Sequence, residues 1–186
     1  MYVKKRCKWA KEEPNKTYHD EEWGMPEHDD QKLFEFLILE GAQAGLSWNT
    51  ILNRRHGYCV AFSNFDVIAV SKYTQNDIKK LVQNKAIIRN KLKINSAINN
   101  AKKFIEIQKQ FGSFDNYLWK FVNHKPIQNQ FKQHSDLPAC TIISETLSND
   151  LKKRGFTFVG PIICYALMQA VGMVNDHTVD CFKYSK

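Results

Sequence analysis

The amino-acid sequence predicts an all-α protein built as one domain. Its 186 residues fit one compact domain, and hydrophobic residues make up 43% of them, which is enough for a substantial core. Apolar residues recur at helical spacing along most of the chain, and no segment alternates convincingly between apolar and polar residues as a half-buried strand would. The sequence contains no internal repeat and no low-complexity segment.

Capping residues place the helices of the first half. Asp29 or Asp30 can cap a helix whose apolar residues form one stripe, and Ser47 can cap a second helix that Gly57 would end. Thr74 with Asp77 three residues later forms a capping box for a short helix. The stripe of the first helix contains Leu33, Phe34, Leu37, Ile38 and Ala44.

The second half continues the helical pattern. A long helix is predicted to end at Gly112, and Ser113 starts the next one. Ser144 can open a helix that Gly155 closes. A last helix over about residues 160–172 is apolar on nearly all sides, so we expect it at the centre of the molecule.

The charge distribution favours an anionic partner. The formal net charge is +8, and residues 79–103 carry eight lysines and arginines without one acidic residue. Within this stretch, residues 81–89 form a short turn between two helices, which could aim backbone N–H groups at a phosphate. The alternatives are a solvated helix face and an ordinary interhelical turn.

One carboxylate occupies a position where the pattern asks for an apolar residue. Glu40 shares a helical stripe with Leu33, Leu37 and Ala44, and Trp48 follows shortly after the helix. Glu40 could lie at the edge of the stripe and pair with a surface lysine. It could instead line a pocket beside an aromatic wall, an arrangement that suits a flat cationic ligand.

Cysteines and histidines near the two ends of the chain are candidate metal ligands. His177 and Cys181 are spaced i, i+4, while Cys7 and His19 lie near the other end. Two thiolates and two imidazoles would suit tetrahedral zinc. The alternative is buried thiols and capping histidines, and Cys164, inside the apolar helix, is predicted to be core.

No targeting or membrane-spanning segment is apparent. The basic residues near the start are followed by Cys7 and Trp9 rather than by an apolar core, so no secretory signal is predicted. The longest apolar run, residues 161–174, is too short to cross a bilayer and contains Gln169. The sequence therefore predicts a soluble, cytoplasmic protein, where five cysteines favour free thiols or metal binding over disulfides.

Several motifs resemble the DNA-3-methyladenine glycosylase I family of bacteria. They extend over almost the whole chain, from about Cys7 to Cys181, and the block between Leu39 and Trp48 is the most specific of them. The motifs are Tyr18-His19-Asp20, Glu22-Trp23-Gly24, Leu39-Glu40-Gly41-Ala42-Gln43-Ala44-Gly45-Leu46-Ser47-Trp48, Phe121-Val122-Asn123-His124, Lys153-Arg154-Gly155-Phe156, Phe158-Val159-Gly160 and Val174-Asn175-Asp176-His177.

The resemblance implies a helix–hairpin–helix glycosylase fold whose termini are tied together by one structural zinc ion. The implied ligands are Cys7, His19, His177 and Cys181. The polar segment 124–138 is predicted to be a long loop or a connection between two helical subdomains. The first subdomain would comprise about residues 30–125 and contain the hairpin. The second would comprise residues 1–29 and 126–186 and hold the zinc ion.

The resemblance also implies a pocket for an extruded base. Glu40 would hydrogen-bond the base between the rings of Tyr18 and Trp48, and Gly45 and Leu46 would fill the gap left in the duplex. From the charge pattern we add Lys85, Arg89 and Lys91 as DNA contacts. The expected partner is alkylated double-stranded DNA, bound by a monomer away from any membrane.

In three places the sequence departs from the family pattern. Residues Asn15-Lys16-Thr17 stand where members often have a second tyrosine, so an aromatic pocket contact is expected to be missing. Ala86 occupies a hairpin position where glycine is expected, which affects how closely the backbone can approach a phosphate. Pro161-Ile162 replaces a frequent hydroxyl residue.

The reaction that the resemblance implies is hydrolysis of the bond between 3-methyladenine and deoxyribose, without lyase activity. Glu40 would be the catalytic residue, through recognition and electrostatic stabilisation of the cationic base rather than as an established general base. Two alternatives stay open: a zinc-stapled DNA-binding module without catalysis, and a sister glycosylase for another alkylated base. Release of free 3-methyladenine from methylated DNA distinguishes the first alternative, and a panel of lesions the second.

Overall fold

The structure is a computed structural model that describes residues 4–184, and it confirms the helical prediction. A parallel pair of two-residue strands, β1 (Ile127–Gln128) and β2 (Val174–Asn175), is the one sheet within this described part. The helices are α1 (Asn15–Glu21), α2 (Asp30–Gln43), α3 (Trp48–Leu52), α4 (Arg55–Ala61), α5 (Val67–Ser71), α6 (Gln75–Gln83), α7 (Lys91–Phe111), α8 (Phe114–Trp119), α9 (Ile142–Lys153) and α10 (Pro161–Ala170).

Four of the five predicted helix caps are confirmed, those at Asp29, Ser47, Thr74 and Ser113. The Asp29 side chain accepts from Lys32 N at the start of α2, and Ser47 accepts from Thr50 N at the start of α3. Thr74 and Asp77 form the predicted capping box of α6. These side chains satisfy backbone N–H groups that the first helical turn leaves without partners.

Gly57 does not end the helix that Ser47 caps, so that prediction is wrong. The helix α3 stops at Leu52, and Gly57 lies inside α4. A Cβ atom at Gly57 would overlap the backbone carbonyl of Ala86. The glycine is needed because the hairpin between α6 and α7 packs directly against this helix.

The boundaries of α9 and of the polar segment also differ from the prediction. Thr141, not Ser144, caps α9, because the Thr141 hydroxyl accepts from Ser144 N and the Ser144 hydroxyl accepts from Thr141 N. Residues 124–138 run mostly without regular structure, as expected, but β1 lies within them. Two residues per strand are too few for an alternation signal in the sequence.

The apolar core centres on α2, α7 and α10. The helix α10 packs against α9 and α2, and α7 packs against α2, α5, α6 and α8. The rings of Phe104 and Phe114 stack with centroids 4.0 Å apart, and Cys164 is buried in the core as predicted. Among the described helices, none combines the length and the apolar character needed to cross a bilayer. This packing fixes the C-terminal end of α2, where Glu40 lies.

Candidate functional site

Glu40 is buried inside the molecule at the end of α2. Only 4% of its surface is exposed, and within residues 4–184 it forms no ion pair. The interpretation that Glu40 pairs with a surface lysine is therefore wrong. The helix turns sharply after Glu40, at Ala44 and at Gly45 with φ of +77°, and Trp48 returns to the same site at the start of α3.

Lys93 holds this turn in place and is not part of the solvated basic face. Its ammonium group donates to the carbonyls of Ala42 and Ala44 at 2.8 and 2.7 Å, which caps the last carbonyls of α2. Lys103 is also engaged, because it pairs with Glu106 at 2.9 Å. Two of the eight charged side chains in the acid-free stretch therefore have partners within the fold.

Glu40 faces a cavity of about 390 Å³ with aromatic walls. Tyr18 and Trp48 lie beside each other with ring centroids 5.3 Å apart and planes at 53°. The other rings of the wall are Trp9 and Trp23, and the polar lining includes Asn15, Gln43, Ser47, Asn49, His134 and Gln169. A cavity of this size and composition suits a small planar ligand.

Three polar atoms in this cavity are buried without a hydrogen-bond partner. They are Asn15 Oδ1, Glu40 Oε2 and Trp48 Nε1, and in the described chain Arg54 Nε is the one other buried side-chain atom of this kind. Buried polar groups are nearly always paired, because an unpaired one costs about 1–3 kcal/mol. An amide oxygen, a carboxyl oxygen and an indole N–H in this cavity are therefore available to bond a ligand or water.

Burial shifts the acid–base behaviour of the pocket. It raises the pKa of Glu40 to about 8, because nothing nearby compensates a desolvated carboxylate. The pKa of Tyr18 also lies well above its usual value, first because of burial and then because of the neighbouring Glu40 charge. Burial thus favours the protonated form of Glu40, and a cationic ligand would favour its ionised form.

Glu35 in the same helix shows that burial alone does not raise a carboxyl pKa. Its side chain is 8% exposed, and burial acts to raise its pKa as it does for Glu40. Arg55 and Lys32 donate hydrogen bonds at 2.7 and 2.8 Å, and their effect outweighs burial, so the pKa is lowered. Glu35 is paired within the fold, whereas Glu40 is not.

Trp9 and Gln169 are pocket residues that the sequence pattern does not single out as such. Trp9 approaches Tyr18 with ring centroids 6.3 Å apart, and Gln169 lines the cavity from α10. The Gln169 amide donates to Asp176 at 2.7 Å, and Tyr165 donates to the same carboxylate oxygen at 2.6 Å. A signal for Gln169 does exist, since it is the polar residue inside the apolar run 161–174.

The four candidate metal ligands meet at one buried point. The ligand atoms of Cys7, His19, His177 and Cys181 all lie within 4.8 Å of one another. The Cys181 sulfur is 3.4 Å from His19 Nε2 and 3.6 Å from His177 Nδ1, and the Cys7 sulfur is 3.6 Å from His177 Nδ1. Tetrahedral zinc with ordinary Zn–S and Zn–N bonds would set these sulfur–nitrogen separations at about 3.6 Å.

The remaining ring nitrogens of the cluster have hydrogen-bond partners. His19 Nδ1 donates to Asp20 at 2.9 Å, and Arg6 holds that carboxylate through bonds of 2.7–3.0 Å. His177 Nε2 donates to the carbonyl of Trp23 at 3.1 Å. Such partners fix the tautomers so that His19 Nε2 and His177 Nδ1 present lone pairs to the cluster.

The predicted DNA contacts lie on two exposed turns. Lys85 and Arg89 are exposed on the hairpin between α6 and α7, and Lys91 is exposed as the first residue of α7. The backbone N–H groups of these three residues donate no hydrogen bond within the described chain. Gly45 and Leu46 are exposed between α2 and α3. The hairpin is tied to this region, because Arg54 just after α3 donates to the carbonyl of Lys85 at 3.5 Å.

Comparisons with known proteins agree with this geometry. The chain is 46% identical over 180 residues to DNA-3-methyladenine glycosylase 1 of Escherichia coli, covering 96% of each chain. A crystal structure of 3-methyladenine DNA glycosylase I superposes with a TM-score of 0.95 at 43% identity, covering 97% of this chain and all of the other. A variant of such an enzyme in complex with 3-methyladenine superposes with a TM-score of 0.94 at 35% identity, covering 97% of this chain and 98% of its own. Residues 9–184 match the methyladenine glycosylase family. The chain belongs to that family.

Proposed function

We propose that this protein removes 3-methyladenine from alkylated double-stranded DNA by hydrolysing the bond between the base and deoxyribose. The observation that carries the proposal is the cavity in which Glu40, Asn15 and Trp48 each leave a buried polar atom without a partner. An adenine ring offers both donors and acceptors along its edge. Tyr18 beside Trp48 provides the ring faces on which such a base can stack.

The charge of the lesion explains the choice of a desolvated carboxylate. Methylation at N3 makes adenine in DNA cationic, and a cation beside Glu40 stabilises the ionised carboxylate that burial otherwise disfavours. A neutral adenine would leave Glu40 either protonated or charged and uncompensated. The pocket therefore selects the methylated base by charge as well as by shape.

The chemical step needs little from the protein beyond this pocket. The base must first leave the duplex, at a cost of a few kcal/mol, and Gly45 and Leu46 lie where they could occupy the gap. Water then bonds to the sugar C1′ and releases one proton to the solvent as the glycosidic bond breaks, and the electron pair of that bond neutralises the departing base. The enzyme supplies positioning, desolvation and recognition of the cation.

The lining of the cavity favours simple hydrolysis over lyase chemistry. Lyase activity requires an amine that attacks the sugar, and no lysine from the described chain lines this cavity. Glu40 is the one carboxylate of its lining. We assign Glu40 to recognition and electrostatic stabilisation of the base.

We propose that the Cys/His cluster holds one structural zinc ion. The separations between its sulfur and nitrogen atoms fit tetrahedral zinc, and both imidazoles are oriented by partners outside the cluster. When bound, the ion would join the N-terminal segment that carries Cys7 to the C-terminal segment that carries Cys181. The cluster is separate from the lining of the cavity that Glu40 faces, which we call the base pocket. We therefore assign the cluster to folding stability.

The decisive experiment is incubation of the protein with methylated duplex DNA, followed by chromatography of the released bases. We expect free 3-methyladenine and intact, abasic strands. A DNA-binding module without catalysis would release no base. A sister enzyme would release 3-methylguanine or 7-methylguanine in preference, which the same chromatogram would reveal.

The hairpin is tested separately by the salt dependence of duplex binding. Each phosphate that the protein no longer neutralises should flatten the log–log slope by about 0.9, so Lys85→Ala/Arg89→Ala should flatten it by up to about 1.8. The matched control is Lys109→Ala/Lys125→Ala, which removes the same charge from exposed positions away from the hairpin. An equal change in both double variants would show that the hairpin residues only form a solvated face.

A further inference from the structure

A second cavity, of about 480 Å³, lies directly beside the base pocket. It opens between the N-terminal segment 5–11 and residues 132–134, and His134 lines both cavities. Trp9 faces the base pocket, whereas its neighbours Lys8 and Ala10 line the second cavity. These two segments therefore border both cavities, and Thr178 and Asp180 complete the lining of the second one. We call the second cavity the basic cleft.

Three lysines of the basic cleft have no counter-charge. Lys8, Lys11 and Lys132 are exposed and form no ion pair with any residue in the 4–184 range. The other two cations of the lining are neutralised within the fold. Arg6 forms hydrogen bonds with Asp20 at 2.7–3.0 Å, and Lys5 pairs with Asp180 at 2.6 Å.

The paired and the unpaired cations of the basic cleft have different roles. The paired cations brace the cluster ligand His19, through Asp20, and the C-terminal segment near Cys181. The three unpaired lysines form no ion pair that would stabilise the fold. Their mutual repulsion around one cleft is mildly unfavourable unless an anion lies between them. A concave site with three exposed ammonium groups suits phosphate oxygens.

We propose that the basic cleft binds backbone phosphates of the DNA strand next to the extruded nucleotide. This inference rests on the proposed function, since it takes DNA as the ligand of the pocket. An extruded nucleotide stays covalently joined to its strand, so the strand must pass the pocket on two sides. Lys8, Lys11 and Lys132 would hold it on the side opposite the hairpin.

The positions of the two basic surfaces relative to the pocket support this assignment. The hairpin is tied by Lys85 to Arg54 at the end of α3, and α3 begins with Trp48 on the pocket wall. The basic cleft borders the wall formed by Trp9 and His134. The hairpin and the basic cleft therefore adjoin the base pocket through different wall residues, as two surfaces that bind one strand on either side of a lesion would.

The first test is the salt dependence of duplex binding by Lys8→Ala/Lys11→Ala/Lys132→Ala. We expect the slope to flatten by about 0.9 for each phosphate that the variant no longer neutralises, hence by up to about 2.7, with at least tenfold weaker binding at about 0.15 M salt. The matched control is Lys109→Ala/Lys125→Ala/Lys152→Ala, which removes three exposed lysines elsewhere. Thermal melting of both variants confirms that they are folded. Equal slopes for the two triple variants would overturn the proposal.

The second test neutralises the DNA instead of the protein. Duplexes carry uncharged methylphosphonate linkages on either the 5′ or the 3′ side of an abasic analogue. On one of the two sides the substitution should weaken binding of the wild type at least fivefold and leave binding of the cleft variant almost unchanged. If the losses in the two proteins are equal on both sides, the cleft does not contact the backbone.

The outcome for the cleft is independent of the outcome for catalysis. Release of 3-methyladenine by the wild-type protein tests the proposed function, whereas slopes and methylphosphonate effects test the cleft. At saturating enzyme, the cleft variant should excise the base at nearly the wild-type rate, because its three lysines do not line the base pocket. A large fall in that rate would place these lysines in the chemistry and contradict a role in backbone binding.

Discussion

The base pocket and the Cys/His cluster are neighbouring buried polar sites that differ in how completely their atoms are paired. The helix α1 serves both, because Tyr18 lines the pocket and the next residue, His19, belongs to the cluster. In the cluster, both outward-facing ring nitrogens have partners within the fold. In the pocket, Glu40, Asn15 and Trp48 each present a buried atom without one.

This difference is what we expect if the Cys/His cluster retains its proposed zinc ion and the pocket exchanges its ligand. The complete outer bonds of the cluster are those expected of a site preorganised around the proposed zinc ion. A site whose buried polar atoms lack partners within the fold leaves those atoms available to a ligand that binds and is released. We therefore expect substitution of a cluster ligand to lower stability, and removal of the Glu40 charge to raise stability at high pH while it slows excision.

The largest effect is expected from the cluster. Because structural zinc contributes about 10–16 kcal/mol in small zinc domains, Cys7→Ser should lose the metal and melt at least roughly 10 °C below the wild type. The matched control is Cys164→Ser, which alters a buried cysteine outside the cluster and should keep full metal content. Metal analysis and thermal melting measure both. Wild-type protein free of zinc, with an unchanged melt for Cys7→Ser, would contradict the assignment.

The second effect is the pH dependence of stability that Glu40 imposes. Its pKa is about 8 in the folded protein and about 4.5 in the unfolded chain. The unfolded chain therefore loses its proton first, so this contribution to stability is fully present below pH 4.5 and is lost as the pH rises toward 8. At about pH 8.5, Glu40→Gln should be more stable than the wild type by a few kcal/mol, at roughly 1.4 kcal/mol per pKa unit.

Glu35→Gln is the control, with the opposite sign. The pKa of Glu35 is lowered, so Glu35 stabilises the fold above its usual pKa and loses this effect as the pH falls. Denaturant unfolding at about pH 5 and about pH 8.5 should show Glu35→Gln less stable than the wild type at the higher pH. If Glu40→Gln were also destabilised there, Glu40 would be a paired structural residue like Glu35.

Particular residues show how far the sequence can predict these two sites. Glu40 is predictable because a carboxylate interrupts an apolar stripe, whereas the cluster ligands depend mainly on the family resemblance, since only His177 and Cys181 have metal-like spacing. Lys93 belongs by sequence to the surface charges, and only the tertiary fold brings α7 against the end of α2. Trp9 escapes prediction for the same reason, since its pocket role depends on where the N-terminal segment packs.

The third effect is on catalysis by the same Glu40→Gln variant. A hydrogen bond to a charged group contributes about 1.5–3 kcal/mol, so single-turnover excision of 3-methyladenine should fall by roughly 10- to 100-fold. Glu35→Gln should excise at nearly the wild-type rate once allowance is made for its folded fraction. Excision by Glu40→Gln at the wild-type rate would mean that the pocket does not use this charge.

The smallest effect concerns Asn15, the pocket residue that replaces an expected aromatic ring. Its Oδ1 is buried and unpaired, so a neutral hydrogen bond to the base should contribute about 1 kcal/mol. Asn15→Leu should bind free 3-methyladenine about fivefold more weakly, measured by quenching of the tryptophans that line the cavity. Asn49→Ala serves as the control, because Asn49 lines the same cavity but is exposed and leaves no buried atom unpaired. Equal losses of affinity in both variants would show that Asn15 only fills space at the rim. A loss of affinity confined to Asn15→Leu, without loss of stability, would confirm that the Asn15 amide forms a hydrogen bond with the base.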